Sequence, residues 1–200
     1  MRRLLLATTN PGKLREFRRL LDGTGFELVS PADVGLSLDV PEHGTTYAEN
    51  AATKARAYAE ASGLPALADD SGIEVDALGG RPGVQSARYG GNGLNDEGRT
   101  ALLLRELEGV PDQRRSARYQ AAVAVAFPDS DGEQPALFLG TQEGRIGREP
   151  RGTGGFGYDP VFLVGDGRTQ AELSDAEKDA ISHRGKAMRA AAAWLRERST

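Results

Sequence analysis

Leu4-Leu5-Leu6-Ala7 is an unbroken apolar run between Arg2-Arg3 and Thr8-Thr9. A run of this length without alternation is the pattern of a strand covered on both faces, and it predicts one over 2–8. Between Pro11 and Leu21 the apolar positions Leu14, Phe17, Leu20 and Leu21 recur at helical spacing, and Gly23 and Gly25 end the helix. Phe26 to Ser30 reads as a short strand. Residues 31–43 hold two prolines and no period, so they read as a loop. An alanine-rich helix is predicted from about Thr45 to Ala61, stopped by Gly63. Leu64 to Ala68 reads as a second core strand. Ile73 to Leu78 reads as its hairpin partner, with polar Asp69 to Gly72 between them.

The second half repeats the alternation. Gly79 to Asn95, with six glycines and a proline, is the longest irregular stretch. A helix follows from about Asp96 to Leu107. Ser116 to Phe127 and Ala136 to Ile146 are long β segments joined through the turn signal Pro128-Asp129-Ser130-Asp131-Gly132. The Gly-rich segment 152–157 leads to a strand near Val161 to Val164. Ser174-Asp175-Ala176-Glu177 is a capping box that starts a helix, and His183 to Arg198 is the last one. The pattern predicts an α/β fold with a mixed, twisted central sheet flanked by helices, one domain over 1–200 with no separable linker.

Composition narrows the classes. With 29 acidic and 25 basic residues the net charge is −4, which argues against a generic nucleic-acid binder but not against a small anion in a local basic pocket. There is no cysteine, which excludes disulfides, thiolate metal sites and cysteine nucleophiles. No apolar run approaches the ~18 residues of a membrane helix. The apolar stretch after Met1-Arg2-Arg3 is shorter than the ~7–15 residues of a signal peptide, so a cytoplasmic protein with no membrane partner is expected. Only four of the 25 basic residues are lysine, at 13, 54, 178 and 186. Lysine is a compact point charge suited to a crowded phosphate, so in an arginine-rich chain each one is a candidate phosphate contact.

Five stretches could carry chemistry. Thr8-Thr9-Asn10-Pro11-Gly12-Lys13 joins a strand to a helix. It reads equally as an anion-binding turn or as a plain cap with Asn10 at the N-cap, and it lacks the spacing of a P-loop. Glu42 and Lys54 flank the second helix. Asp69-Asp70-Ser71 stands at the predicted carboxyl end of a core strand, where oxygen ligands, with only His43 and His183 as imidazoles, favour a hard cation such as Mg²⁺. Gly152 to Pro160 sets Phe156 among glycines, as a stacking face or as a core residue. Lys178 and Ser182-His183-Arg184 could donate to a ligand carbonyl or simply start a helix.

Together these stretches resemble one family, the inosine triphosphate pyrophosphatases, also called dITP/XTP diphosphatases. "TTNPGK", "ENAATKA", "ADDSGIEVDALGG", "PGVQSARYGG", "GTGGFGYDPVF" and "EKDAISHRGKA" match in order from Leu4 to about Ala187. The resemblance implies an elongated α/β fold with two lobes around a cleft, usually as a homodimer. It implies Mg²⁺-dependent hydrolysis of non-standard purine nucleoside triphosphates (ITP, dITP, XTP) to the monophosphate and pyrophosphate. By the same resemblance Thr8, Thr9, Asn10, Pro11, Gly12, Lys13 and Ser71 bind phosphate, and Glu42 and Asp70 hold the metal. Asp70 is also the base, with Asp69 and Lys54 in the catalytic cluster. Phe156, Gly157, Tyr158, Asp159, Lys178, His183 and Arg184 recognise the nucleotide. Gln85 stands where many relatives have an aromatic residue. The rivals are a Maf-like nucleotide pyrophosphatase and a nucleotide sensor without turnover. The Phe156 loop and Ser182-His183-Arg184 argue against the first, the set Glu42, Lys54, Asp69 and Asp70 against the second.

Overall fold

The first apolar run forms strand β1 (Arg2–Leu6), which pairs in parallel with β2 (Phe26–Val29) and with β3 (Ala66–Val75). The computed structural model describes residues 2–91, 93–128 and 133–198. The sheet has six strands in the order β2-β1-β3-β4-β5-β6, with β4 at Ser116–Ala126, β5 at Ala136–Ile146 and β6 at Phe162–Leu163. β6 is antiparallel to β5, so the sheet is mixed. Helices α1 (Pro11–Leu20), α2 (Tyr47–Ser62), α3 (Asp96–Glu106), α4 (Asp175–Ile181) and α5 (His183–Arg196) complete the α/β fold. The expected turn at 129–132 lies outside the described residues.

The chain divides into two compact units: Met1–Asp70, Ala121–Gly140 and Arg184–Thr200 in the first, Ser71–Gln120 and Thr141–His183 in the second. In the first unit the sheet is covered on both faces. Leu4, Leu6 and Leu67 pack with Phe17 of α1 and with Met188, Ala191 and Leu195 of α5. Their neighbours Leu5, Ala7, Ala66 and Ala68 face Ala51, Ala55 and Tyr58 of α2. The period of two in a strand distributes the apolar run between both layers, which is why it does not alternate. In the second unit Ile73, Val75, Ala117, Tyr119, Ile146 and Phe162 pack with Leu103 of α3 and Leu107 at its C-cap.

One expectation is overturned. Leu64 to Ala68 and Ile73 to Leu78 are not hairpin partners: β3 runs continuously through Asp69-Asp70-Ser71-Gly72. The aspartates therefore stand mid-strand, not at a strand end. A polar quartet reads as a turn because ionised carboxylates resist burial, but here cations from distant parts of the chain compensate them. Further differences include short 3₁₀ turns, within expected loops at Ala32–Val34 and Gly83–Arg88 and in place of the end of an expected strand at Asp76–Leu78, and ends moved by one to three residues.

Candidate active site

Because β3 is extended, Asp69 and Asp70 point to opposite faces of the sheet. Asp69, in register with Leu67, faces α1 and α5. Its carboxylate takes Lys13 Nζ at 2.8 Å and Arg184 Nε at 3.1 Å. Arg184 Nη1 reaches Glu16 Oε2 at 2.7 Å. Asp69 is 1 % exposed and Arg184 3 %, so this is an interior network of charges. Burial alone would raise the Asp69 pKa, but Lys13 and Arg184 outweigh it and hold the carboxyl well below the usual range.

Asp70, in register with Ala66 and Ala68, faces α2, where Asn50 Nδ2 donates to its Oδ2 at 2.9 Å. The Asn50 carbonyl oxygen accepts the Gly44 N–H at 2.8 Å, which fixes the amide orientation. One turn along α2, Lys54 pairs with Glu42 and donates to the Asp69 backbone carbonyl at 3.3 Å. Burial and the Glu42 charge push the Asp70 pKa up, against the Asn50 hydrogen bond and the charges of Lys13 and Lys54. Neighbouring carboxylates with pKa values driven apart are the signature of an acid–base site.

The Thr8–Lys13 turn is built as a cap. Asn10 Oδ1 accepts the Lys13 N–H at 3.0 Å, and Thr8 Oγ1 accepts the Asn10 N–H at 3.2 Å. Thr9, Asn10 and Pro11 are exposed, and Gly12 is buried at the start of α1. Among the described residues no three Asp, Glu or His side chains gather as a metal cage. Glu42 and Asp70 instead offer two carboxylates, the donor set with which Mg²⁺ is held when substrate phosphates and water complete its octahedron.

The second unit carries the other set, beginning with half-buried Ser71 directly after Asp70. Asp159 is its hub. Oδ2 accepts Lys178 Nζ at 2.7 Å and the Phe156 N–H at 2.9 Å, and Oδ1 accepts Gln170 Nε2 at 2.8 Å and Tyr119 Oη at 3.2 Å. Lys178 lies 5.0 Å from the centroid of the half-buried Phe156 ring. His183 is buried and stacks on Tyr119, centroids 4.5 Å apart and rings 9° from parallel. The Gly157 N–H is bound by Asp96 Oδ2 at 2.9 Å. Gly155 has φ +71°, and a Cβ there would run into the Asp159 carboxylate. Gly155→Ala is therefore expected to loosen this loop at a cost of ~1–3 kcal/mol. A thermal melt reads that loss, and a raised KM for nucleotide reads the displaced Phe156.

Two members of the expected recognition set have partners within the protein. Arg184, expected to donate toward a base, places Nε on Asp69 and Nη1 on Glu16. Tyr158 is a core residue whose hydroxyl donates to the Ser86 carbonyl at 2.9 Å. Glu16, Asn50, Tyr119 and Gln170 escaped the sequence reading. Only Asn50 left a signal: it stands one turn before Lys54, within the buried alanine face of α2. Lys13, Lys54 and Lys178 pair with Asp69, Glu42 and Asp159, whereas Lys186 is exposed.

A sequence model described as the Ham1 family matches residues 4–194. A dITP/XTP pyrophosphatase of Symbiobacterium thermophilum is 54% identical over 190 residues, 94% of this chain and 91% of the relative. One of Bacillus licheniformis is 47% identical over 98% of both chains. Among solved structures, a HAM1 protein from Coxiella burnetii superposes with a TM-score of 0.88 at 42% identity, covering 98% of this chain and all of its own.

Proposed function

This chain belongs to the Ham1 family, and from that premise we propose that it hydrolyses ITP, dITP and XTP to the nucleoside monophosphate and pyrophosphate with Mg²⁺ as cofactor. The observation that carries the mechanism is the divergence of Asp69 and Asp70, one held ionised by Lys13 and Arg184, the other raised and oriented by Asn50.

In the reaction a water oxygen bonds to the α-phosphorus. The bond from that phosphorus to the α–β bridging oxygen breaks, and its electron pair leaves with pyrophosphate. Asp70 takes the proton from the water. Glu42 and Asp70 are the residues that would hold Mg²⁺, which when bound would supply neutralisation of phosphate charge. Lys13 and Lys54 stabilise the negative charge that develops on the leaving group. Thr8 to Lys13 and Ser71 hold the phosphates. Phe156, Gly157, Asp159, Lys178 and His183 hold the purine.

The same residues set the choice of base. Lys178 can only donate, so a 6-oxo acceptor satisfies it and the 6-amino group of ATP does not. Sites that bind a polar edge reject the wrong partner strongly, because buried groups are left unpaired. Stacking on Phe156 makes no such choice, since every base has a π-face. Pyrophosphate release over ITP, XTP, dITP, GTP, ATP, CTP and UTP, with Mg²⁺ and with EDTA, tests the reading. The expected result is ITP and XTP at least about a hundredfold ahead of ATP in kcat/KM, and silence in EDTA. ATP cleaved as well as ITP would refute the base assignment; a preference for pyrimidines would favour the Maf-like rival, and binding without turnover the sensor. The homodimeric, cytoplasmic state implied by the resemblance is part of the proposal. Sedimentation at micromolar concentration tests the dimer.

A further inference from the structure

Tyr119, near the start of β4, was not among the residues singled out in the sequence. It nonetheless meets both His183 and Asp159. Its ring stacks on His183 on one side and meets Phe162 on another, with centroids 4.6 Å apart. Its hydroxyl donates to Asp159 Oδ1, the carboxylate whose other oxygen holds Lys178 and the Phe156 N–H.

We propose that Tyr119 is a positioning residue for base recognition, holding the His183 ring by stacking and the Asp159–Lys178–Phe156 assembly through its hydroxyl. The proposal rests on the reading of this set as the purine site. A histidine ring in a packed interior needs a second surface to define its plane, and a parallel aromatic ring at 4.5 Å supplies one. A carboxylate with four donors holds its orientation only while all four are present, because each bond restrains the same two oxygens. Tyr119 Oη is the longest of these bonds and the only one from a β-strand, the most rigid element of the set. The contacts of Tyr119 described above fall on His183, Phe162 and Asp159, so its expected effect is on handling of the base.

The test uses three forms of the whole protein: wild type, Tyr119→Phe and Tyr119→Leu. The chain has only two histidines, and His43 is exposed, so the His183 ring signals are identified in a proton–carbon NMR spectrum with His43 as internal reference. In the ligand-free protein His183 is expected upfield, under the ring current of Tyr119. Tyr119→Phe keeps that displacement and Tyr119→Leu loses it, while His43 does not move in either. For ITP, Tyr119→Phe is expected to raise KM about fivefold through the lost hydroxyl bond, and Tyr119→Leu roughly ten- to a hundredfold, with kcat within about threefold. The ITP-to-ATP ratio should narrow in the same order.

Unchanged His183 signals in a folded Tyr119→Leu, or a KM for ITP within twofold of wild type, would overturn the proposal. If Tyr119→Leu does not fold, Tyr119→Phe still decides it: a KM and an ITP-to-ATP ratio equal to wild type would remove the hydroxyl from any positioning role. Should wild type fail to cleave ITP, the functional reading falls. The ligand-free His183 signals would still report whether Tyr119 holds the ring.

Discussion

Asp70→Asn is expected to suppress pyrophosphate release from ITP by about 10²–10⁴-fold while leaving the protein as stable as wild type, or more so. The substitution is nearly isosteric, and the new side-chain oxygen can still accept from Asn50 Nδ2. What disappears is a proton acceptor and the charge of a candidate metal ligand. The unusual half of the prediction concerns stability. Burial and Glu42 raise the folded-state pKa of Asp70, so the folded protein binds that proton more tightly than the unfolded chain does. Its ionised form therefore weighs against the fold at neutral pH, and removing the charge relieves that penalty. Near-normal turnover at saturating Mg²⁺ would show that Asp70 is not the base. A thermal midpoint well below wild type would contradict the raised pKa.

Asp69→Asn, one residue away, is expected to behave in the opposite sense. Lys13 and Arg184 both place their charge on this carboxylate, and Arg184 is 3 % exposed. Breaking a buried pair by removing one partner leaves an uncompensated interior charge, at a cost of roughly 3–5 kcal/mol. In a chain of this size that lowers the thermal midpoint by about 10 °C. The pH dependence follows from the same pair. The folded-state pKa of Asp69 is depressed, so its contribution is present in full above the ordinary carboxylate range and is lost as pH falls through and below about 4. Wild type should lose stability on that acid limb, and Asp69→Asn should show a shallower one. Denaturant unfolding across pH 3 to 7 measures both. Equal midpoints and equal limbs would mean that the ion pairs contribute nothing net.

Adjacent aspartates with opposite effects on stability could not be anticipated from their position in the chain. In sequence they are equivalent: two identical side chains between an apolar run and Ser71-Gly72. The difference comes from the pleat of β3, which turns one toward Lys13, Arg184 and Glu16 and the other toward Asn50 and Glu42. Those partners come from α1, α5, α2 and a loop, and no spacing rule relates them. The same cause explains the misread hairpin. Local pattern treats Asp69 to Gly72 as a surface turn, because the cations that permit its burial are distant in sequence.

Local chemistry did determine much of this protein. The α/β alternation, the helix starts at Asn10, Thr46 and Ser174 and the apolar stripes of α1 and α5 rest on side chains within a few residues of one another. The site motifs were legible too, since each gathers its charged and polar residues within a short stretch of sequence. Roles within the motifs depended on the folded state. Arg184 sits in a recognition motif and places Nε on Asp69 and Nη1 on Glu16. Tyr158, in a Gly-rich loop, became core, while Tyr119, in an ordinary strand, became the support of His183. A residue type declares what a side chain is able to do. Which of those abilities it exercises is decided by the charges and rings packed against it, and only the tertiary structure brings those together.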